Sequence, residues 1–311
     1  MIIRGVIYER YFLIGIVIGI VSRMITLKND RKQYPTQPNM LVSQIVLAVI
    51  GSALGAMLVP ALIKKSYTSI TFLSLAASQF RQVRHSKRNV LNDMEDSLLV
   101  KRGGGFIEEI ALTYEVRSYT CILTALTTSS VYHLAKTELH LNEGGSIFIG
   151  AMAGIGLALI FKKLFVRESI GAIAEVVPAK ISFDGPLLKV NDVVISNIGL
   201  ESSRQRYLDY GLAVEIIPKD KSYTNSGIIL NPGQRQTIAN IAYSRLGIMR
   251  TPDEPDFVPL LRRNPKNESL VMPYIPIEKD INKLIDAVKS TPIIESSRGK
   301  NWALKKFAIK N

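Results

Sequence analysis

Glu108, Glu109, Glu115 and Arg117 crowd the segment FIEEIALTYEVR, residues 106–117. On a helix, Glu108 and Glu115 lie seven positions apart and share a face. Together they could form a carboxylate site facing Arg117 or a partner, the kind of group that serves acid–base chemistry. The ordinary role of acids this early in a helix is to complement its dipole. Other chemistry has little material. Histidine occurs only at His85, His133 and His140, so the chain after residue 140 holds no Ser-His-Asp triad, and metal sites there are disfavoured. Cys121 is the single cysteine, which excludes an internal disulfide or a thiolate metal site. No metal and no cofactor are expected. Asp253, Glu254 and Asp256 cluster in a proline loop, and Asp184 and Asp192 flank a turn region; surface charge and turn chemistry account for them. Gly103-Gly104-Gly105 could cradle a phosphate at a helix N-terminus, but it lacks the Lys-Ser/Thr ending of a phosphate-binding loop. It reads as a hinge between helices.

The elements that must position these residues are apolar. Residues 11–25, 41–63, 118–134 and 146–161 are nearly uncharged runs, each close to the length that crosses a hydrocarbon core of about 30 Å as a helix. The run at 66–79 is a short fifth candidate. The chain is 47% hydrophobic with mean hydropathy +0.16, an average over an apolar half and a mixed half. Its net charge of +13 could suggest nucleic acid. No RNA-binding signature or zinc-ligand spacing accompanies it, and much of the excess flanks the apolar runs, so nucleic acid is not the expected partner.

Charge placement orients the segments. With five of them, the linker holding Arg23, Lys28, Arg31 and Lys32 and the basic run from Arg81 to Arg117 face the cytoplasm, with Lys162, Lys163 and Arg167 after the last segment. Gly15 and Gly19, Gly51 and Gly55, and Gly150 and Gly154 have the four-residue spacing that lets helices approach in lipid, within one chain or across a homo-oligomer seam. Hydroxyls at Thr120, Thr124, Thr127, Thr128, Ser129 and Ser130 are expected to bond back to their own helix. Apolar positions Phe80, Val83, Val90, Leu91, Met94, Leu98 and Leu99 recur at helical spacing, an amphipathic connecting helix over 80–100.

FIEEIA, preceded by LAASQFRQVR and followed by YEVRSY, resembles the YIEGIA family of bacterial membrane proteins, which takes its name from this hexapeptide and is associated with endospore-forming Firmicutes. The resemblance continues through AEVVPAKISFDGPLLKVNDVVISNIGL and RTPDEPDFVPLLRR. Phe106 replaces the motif's tyrosine and Glu109 its glycine, so neither a phenol nor a glycine is essential here. Ile107, Glu108, Ile110 and Ala111 match, and Glu108 is the polar residue carried over as functional. The resemblance implies a role in spore development within a partner-controlled membrane complex.

From residue 166 the chain alternates short β-rich runs with tight turns: residues 170–177, 180–183, 187–190, 193–198 and 213–217. Residues 204–209 read as a polar connection. Asn231-Pro232 starts a helix that stops at Gly247, a strand falls near 270–274, and a helix covers 278–289. The expected architecture is an α-helical transmembrane bundle of four to five segments over 1–165, including FIEEIA at 106–111, then a small mixed α/β cytoplasmic domain over 166–311. The expected function is an integral, multi-pass protein of the cell membrane that regulates endospore development through cytoplasmic protein partners and contacts membrane lipid. The alternative is a membrane-embedded protease or hydrolase using Glu108 or Glu115, controlled by a partner and acting on a cytoplasmic protein.

Overall fold

A computed structural model describes residues 12–26, 38–164, 168–220, 223–250 and 257–298. The basic linker residues Lys28, Arg31 and Lys32, together with Arg167 and the Asp253–Asp256 cluster, lie outside them. The chain divides into two compact units, Met1–Asn89 with Ile110–Val166, and Val90–Glu109 with Arg167–Asn311.

The first unit is helical: α1 (Phe12–Thr26), α2 (Pro38–Ile63), α3 (Tyr67–Asp93), α4 (Gly104–Thr137) and α5 (Glu143–Leu164), of which α3 and α4 run on into the second. The expectation of four to five membrane segments is corrected here. Among the described residues, two helices are long and apolar enough to cross a membrane, Val42–Ile63 and Glu143–Leu164. The physical reasons differ for the others. The fifteen described residues of α1 rise only about 22 Å, short of a hydrocarbon core. The candidate at 66–79 continues without a break into the basic sequence RQVRHSKR of α3. Residues 118–134 form the hydroxyl-rich part of a 34-residue helix that also carries Glu108, Glu109, Glu115 and Arg117 ahead of them.

Small residues seat these helices on α4. A methyl group added at Gly55 would collide with the Ile122 carbonyl oxygen, and one at Gly154 with Thr128 Oγ1. Gly15 similarly faces Ser129 of α4, and Gly19 faces both Ser52 of α2 and the Cys121 carbonyl oxygen of α4. The glycine spacing is thus used for close approach inside the chain. Of the α4 hydroxyls expected to bond back, Thr120 donates to Arg117 O at 2.7 Å and Thr128 to Thr124 O at 2.9 Å, whereas Thr124 Oγ1 shares a hydrogen bond with Ser22 Oγ of α1 at 3.3 Å.

The second unit is built on two antiparallel sheets. After a helical turn α6 (Ile170–Ile173) come β1 (Ala174–Pro178), β2 (Ile181–Asp184), β3 (Leu187–Val190), β4 (Val193–Asn197), α7 (Glu201–Tyr210), β5 (Leu212–Pro218), α8 (Tyr223–Leu230), α9 (Pro232–Leu246), β6 (Arg262–Arg263), β7 (Leu270–Tyr274) and α10 (Ile281–Lys289). The strand orders are β1-β5-β7-β6 and β2-β3-β4. Alternation along a strand sends successive side chains to opposite faces, which makes three layers. Val214, Ile216, Leu270, Met272 and Tyr274 join one core with Ile238, Ala242, Leu284 and Val288 of α9 and α10. Ala213 and Val271 join another with Leu188, Val190 and Ile195 of the smaller sheet. Strand β7 is buried along its whole length, as a strand covered on both faces must be. Pro273 is tolerated in it because β6 pairs only with Leu270 and Val271, leaving the proline without a ladder partner on that side.

The start of α9 follows its sequence signal. Asn231 Oδ1 accepts from Gly233 N at 2.9 Å and Gln234 N at 3.3 Å, Pro232 occupies the first turn, and Gly247 ends the helix at φ 64°. The polar connection expected at 204–209 is instead inside a helix, α7. Ser203 and Tyr207, one turn apart, are its buried anchors, and Tyr207 packs edge-on against Phe183 and Phe257.

Candidate functional site

The chain leaves α3 at Asp93 and turns through a 3-10 segment, Glu95–Ser97, before α4 begins at Gly104. The expected helix over 80–100 therefore stops short, and the break falls before the triglycine. Gly103 adopts φ 83°, a left-handed conformation that favours glycine, and Gly104 and Gly105 form the first turn of α4. The amides ahead of this turn are taken: Glu95 Oε1 accepts from Arg102 N at 2.9 Å and Oε2 from Gly103 N at 3.0 Å. An internal carboxylate sits where the phosphate reading would need an anion.

This segment is built into the second unit. Val100 is fully buried in the core formed with α9 and α10. Asn240 Nδ2 donates to Val100 O at 2.7 Å, and Gln236 Nε2 donates to Lys101 O. Beside them, the buried Gln234 organises the chain after α10: its Nε2 donates to Pro292 O at 2.9 Å and its Oε1 accepts from Ile294 N at 2.9 Å. A methyl group added at Gly105 would lie 2.9 Å from Ser296 Oγ and 3.1 Å from Ile294 Cδ1. Glu109 Oε2 accepts from Glu295 N at 3.4 Å. The start of α4, helix α9 and residues 292–297 thus make one interlocked surface.

The residues singled out from sequence occupy distinct environments. Phe106, Ile107, Ile110 and Ala111 are buried, as is Glu109, while Glu108 is half-buried. Glu115 Oε2 accepts from Arg84 Nη1 at 3.5 Å and its Oε1 from the Tyr119 hydroxyl at 3.2 Å. Glu108 and Glu115 stand about 10 Å apart along the helix axis by their seven-residue spacing. Arg117 is buried in the first unit.

Two polar groupings were missed in the sequence. Arg23 is buried near the end of α1, where its Nη2 donates to Gln44 Oε1 at 3.0 Å and Gln44 Nε2 donates to Tyr114 OH at 3.2 Å. A charge closing an apolar run was the available signal, read there only as a flank. In the tail, Glu215 of β5 is buried and accepts from Asn191 Nδ2 at 2.7 Å, Asn267 Nδ2 at 3.0 Å and Ser269 Oγ at 2.5 Å. Burial raises its pKa, but hydrogen bonds from Ser269, Asn267, Asn191 and Asn264 outweigh that and leave the carboxyl below its ordinary value. Glu215 ties the turn between β3 and β4 to the loop before β7, fastening the two sheets. The turn acids have ordinary partners: Asp184 pairs with Lys189 at 2.5 Å and Asp192 with Lys266 at 3.0 Å. Among the described residues, no group of three or more His, Cys, Asp or Glu side chains is placed to hold a metal.

Fold and site together define a protein with two membrane-length apolar helices and a two-sheet tail that incorporates the FIEEIA approach. The chain belongs to the YIEGIA protein family, whose pattern matches residues 11–304. It is 33% identical over 283 residues to the uncharacterized protein YphB of Bacillus subtilis (strain 168), a match covering 91% of each chain. No solved structure matches it.

Proposed function

We propose that this chain is an integral, multi-pass membrane protein that regulates endospore development, with its tail in the cytoplasm binding protein partners. Membrane residence is supported by Val42–Ile63 and Glu143–Leu164. The cytoplasmic side is supported by Lys162 and Lys163 in the last turn of α5, since basic residues after an apolar helix favour that face. Spore development is supported by membership of a family associated with endospore formers. One observation carries the regulatory reading: Val90–Glu109, including the first turns of α4, folds as part of the tail's unit. A partner that shifts the tail therefore acts directly on the start of the FIEEIA helix. Exposed Leu200, Leu208 and Tyr210 of and beside α7 offer apolar contact for such a partner.

The test replaces the native gene in an endospore-forming host. Deletion should lower the yield of mature spores, and Glu108→Gln should reproduce that loss while expression and membrane insertion persist. Normal sporulation after deletion would overturn the proposal. Equal, mild effects of Glu108→Gln and Glu109→Gln would remove the special role of Glu108.

A further inference from the structure

Between α2 and α3 the first unit holds an open groove of about 530 Å³. That volume lies within the range of ligand-binding clefts, roughly 300–1,000 Å³. Val42, Val46 and Leu47 of α2 contribute apolar lining, and Gln82, Ser86 and Lys87 of α3 contribute polar lining. The position of the groove follows from the chain. Helices α2 and α3 are joined by three residues, and the lining positions fall well away from that turn on both helices, at the open end of the hairpin. Val42 also lies near the start of the apolar run 41–63. The groove therefore begins at the depth where headgroups give way to hydrocarbon.

Its chemistry has two ends. Beyond the groove, α2 carries exposed Val49, Ile50 and Met57, which continue the helix face of Val42 and Val46 at three-, four- and seven-residue spacing. This stripe suits an acyl chain. At the polar end, Lys87 Nζ lies 5.4 Å from the centre of the Tyr114 ring, a cation–π contact that leaves its ammonium hydrogens available. Among the described residues, no carboxylate pairs with Lys87. Its neighbour Arg84, by contrast, is engaged by Glu115. Ser86 and Gln82 line the same groove and bring a hydroxyl and an amide as further hydrogen-bonding groups.

We infer that this groove binds one anionic phospholipid, its phosphate at Lys87 with Ser86 and Gln82, and an acyl chain along Val42, Val46 and Ile50. The site rests on the reading of α2 as membrane-spanning, and the two are tested separately. The full chain is reconstituted in nanodiscs of phosphatidylcholine containing a minor fraction of phosphatidylglycerol, and lipid retained after transfer to detergent is counted by native mass spectrometry. Wild-type protein should retain about one phosphatidylglycerol per chain. Lys87→Gln should weaken the preference for it about fivefold, one basic side chain's attraction to an anionic lipid surface, and Lys87→Arg should restore it. Val46→Trp, which fills the apolar lining, should also expel the lipid. Insertion resistant to carbonate extraction should be the same in all four proteins. Release by carbonate would defeat the membrane reading and the site with it. Stable insertion with equal phosphatidylglycerol retention in wild type and Lys87→Gln would overturn the lipid site alone.

Discussion

Val100 decides whether the approach to FIEEIA belongs to the tail's fold. It lies outside any helix or strand, yet it is fully buried in the tail core and its carbonyl accepts from Asn240 Nδ2. Val100→Ala removes two methyl groups, about 1.6 kcal/mol of transfer energy at about 0.8 kcal/mol each. Incomplete collapse of the space left behind raises the cost to roughly 2–3 kcal/mol. For a unit of this size that corresponds to a fall in melting temperature of roughly 4–12 °C. Asn240→Ala removes the donor and strands a buried carbonyl, costing about 1–3 kcal/mol. Because both changes loosen the same segment, the double variant should lose less than the sum of the two. The assay is thermal unfolding of the intact chain in detergent, with hydrogen exchange read at residues 98–105. Val194→Ala, on the exposed side of β4, is the control and should cost under about 0.5 kcal/mol. If Val100→Ala destabilises no more than Val194→Ala, and exchange at 98–105 is unchanged, the segment is not part of the tail core and the regulatory reading loses its support.

Glu215 gives the tail a pH dependence of definite sign. Its folded pKa lies below the ordinary value, so its contribution is fully present above that ordinary value and is lost as pH falls through the lower folded one. Urea midpoints measured downward from pH 6 should fall more steeply for wild type than for Glu215→Gln, and parallel curves would refute the assignment. Gly55→Ala drives a methyl group into the Ile122 carbonyl oxygen and should lower detergent stability by about 1–3 kcal/mol; Gly156→Ala, with open space around it, should be neutral or stabilising by up to about 1 kcal/mol. A reporter fused after Asn311 should behave as cytoplasmic, and labelling of an introduced cysteine at Lys219 from outside intact cells would contradict the proposed orientation.

Local signals in this chain carried as far as local physics reaches. Asn231-Pro232 and Gly247 mark the two ends of α9 because a cap, a fixed φ and a left-handed stop are properties of a few adjacent residues. The tight turns at Gly185 and Asn191 separate β2, β3 and β4 for the same reason. The family could be read from FIEEIA and the ordered segments around it. Span counting went wrong where hydrophobicity is graded: α4 mixes acids, hydroxyls and aliphatics over one long helix, and α3 changes from hydroxyl-rich to basic without a break. Sequence pattern cannot report long-range partners either. Residues 201–210 look polar enough for a loop, and only the packing of Tyr207 between Phe183 and Phe257 makes a helix of them worthwhile. Val100 and Asn240 meet across 140 positions, and Glu215 gathers its donors from turns 24 and 52–54 residues away. The sequence alone determined the caps and two of the four apolar runs it offered as membrane-length helices, each encoded within a short window, and the family, encoded in an ordered set of segments. Tertiary structure alone decided that residues 90–109 belong with the tail and that a buried carboxylate fastens its sheets, because burial and hydrogen-bond satisfaction are set by residues that the chain brings together only on folding.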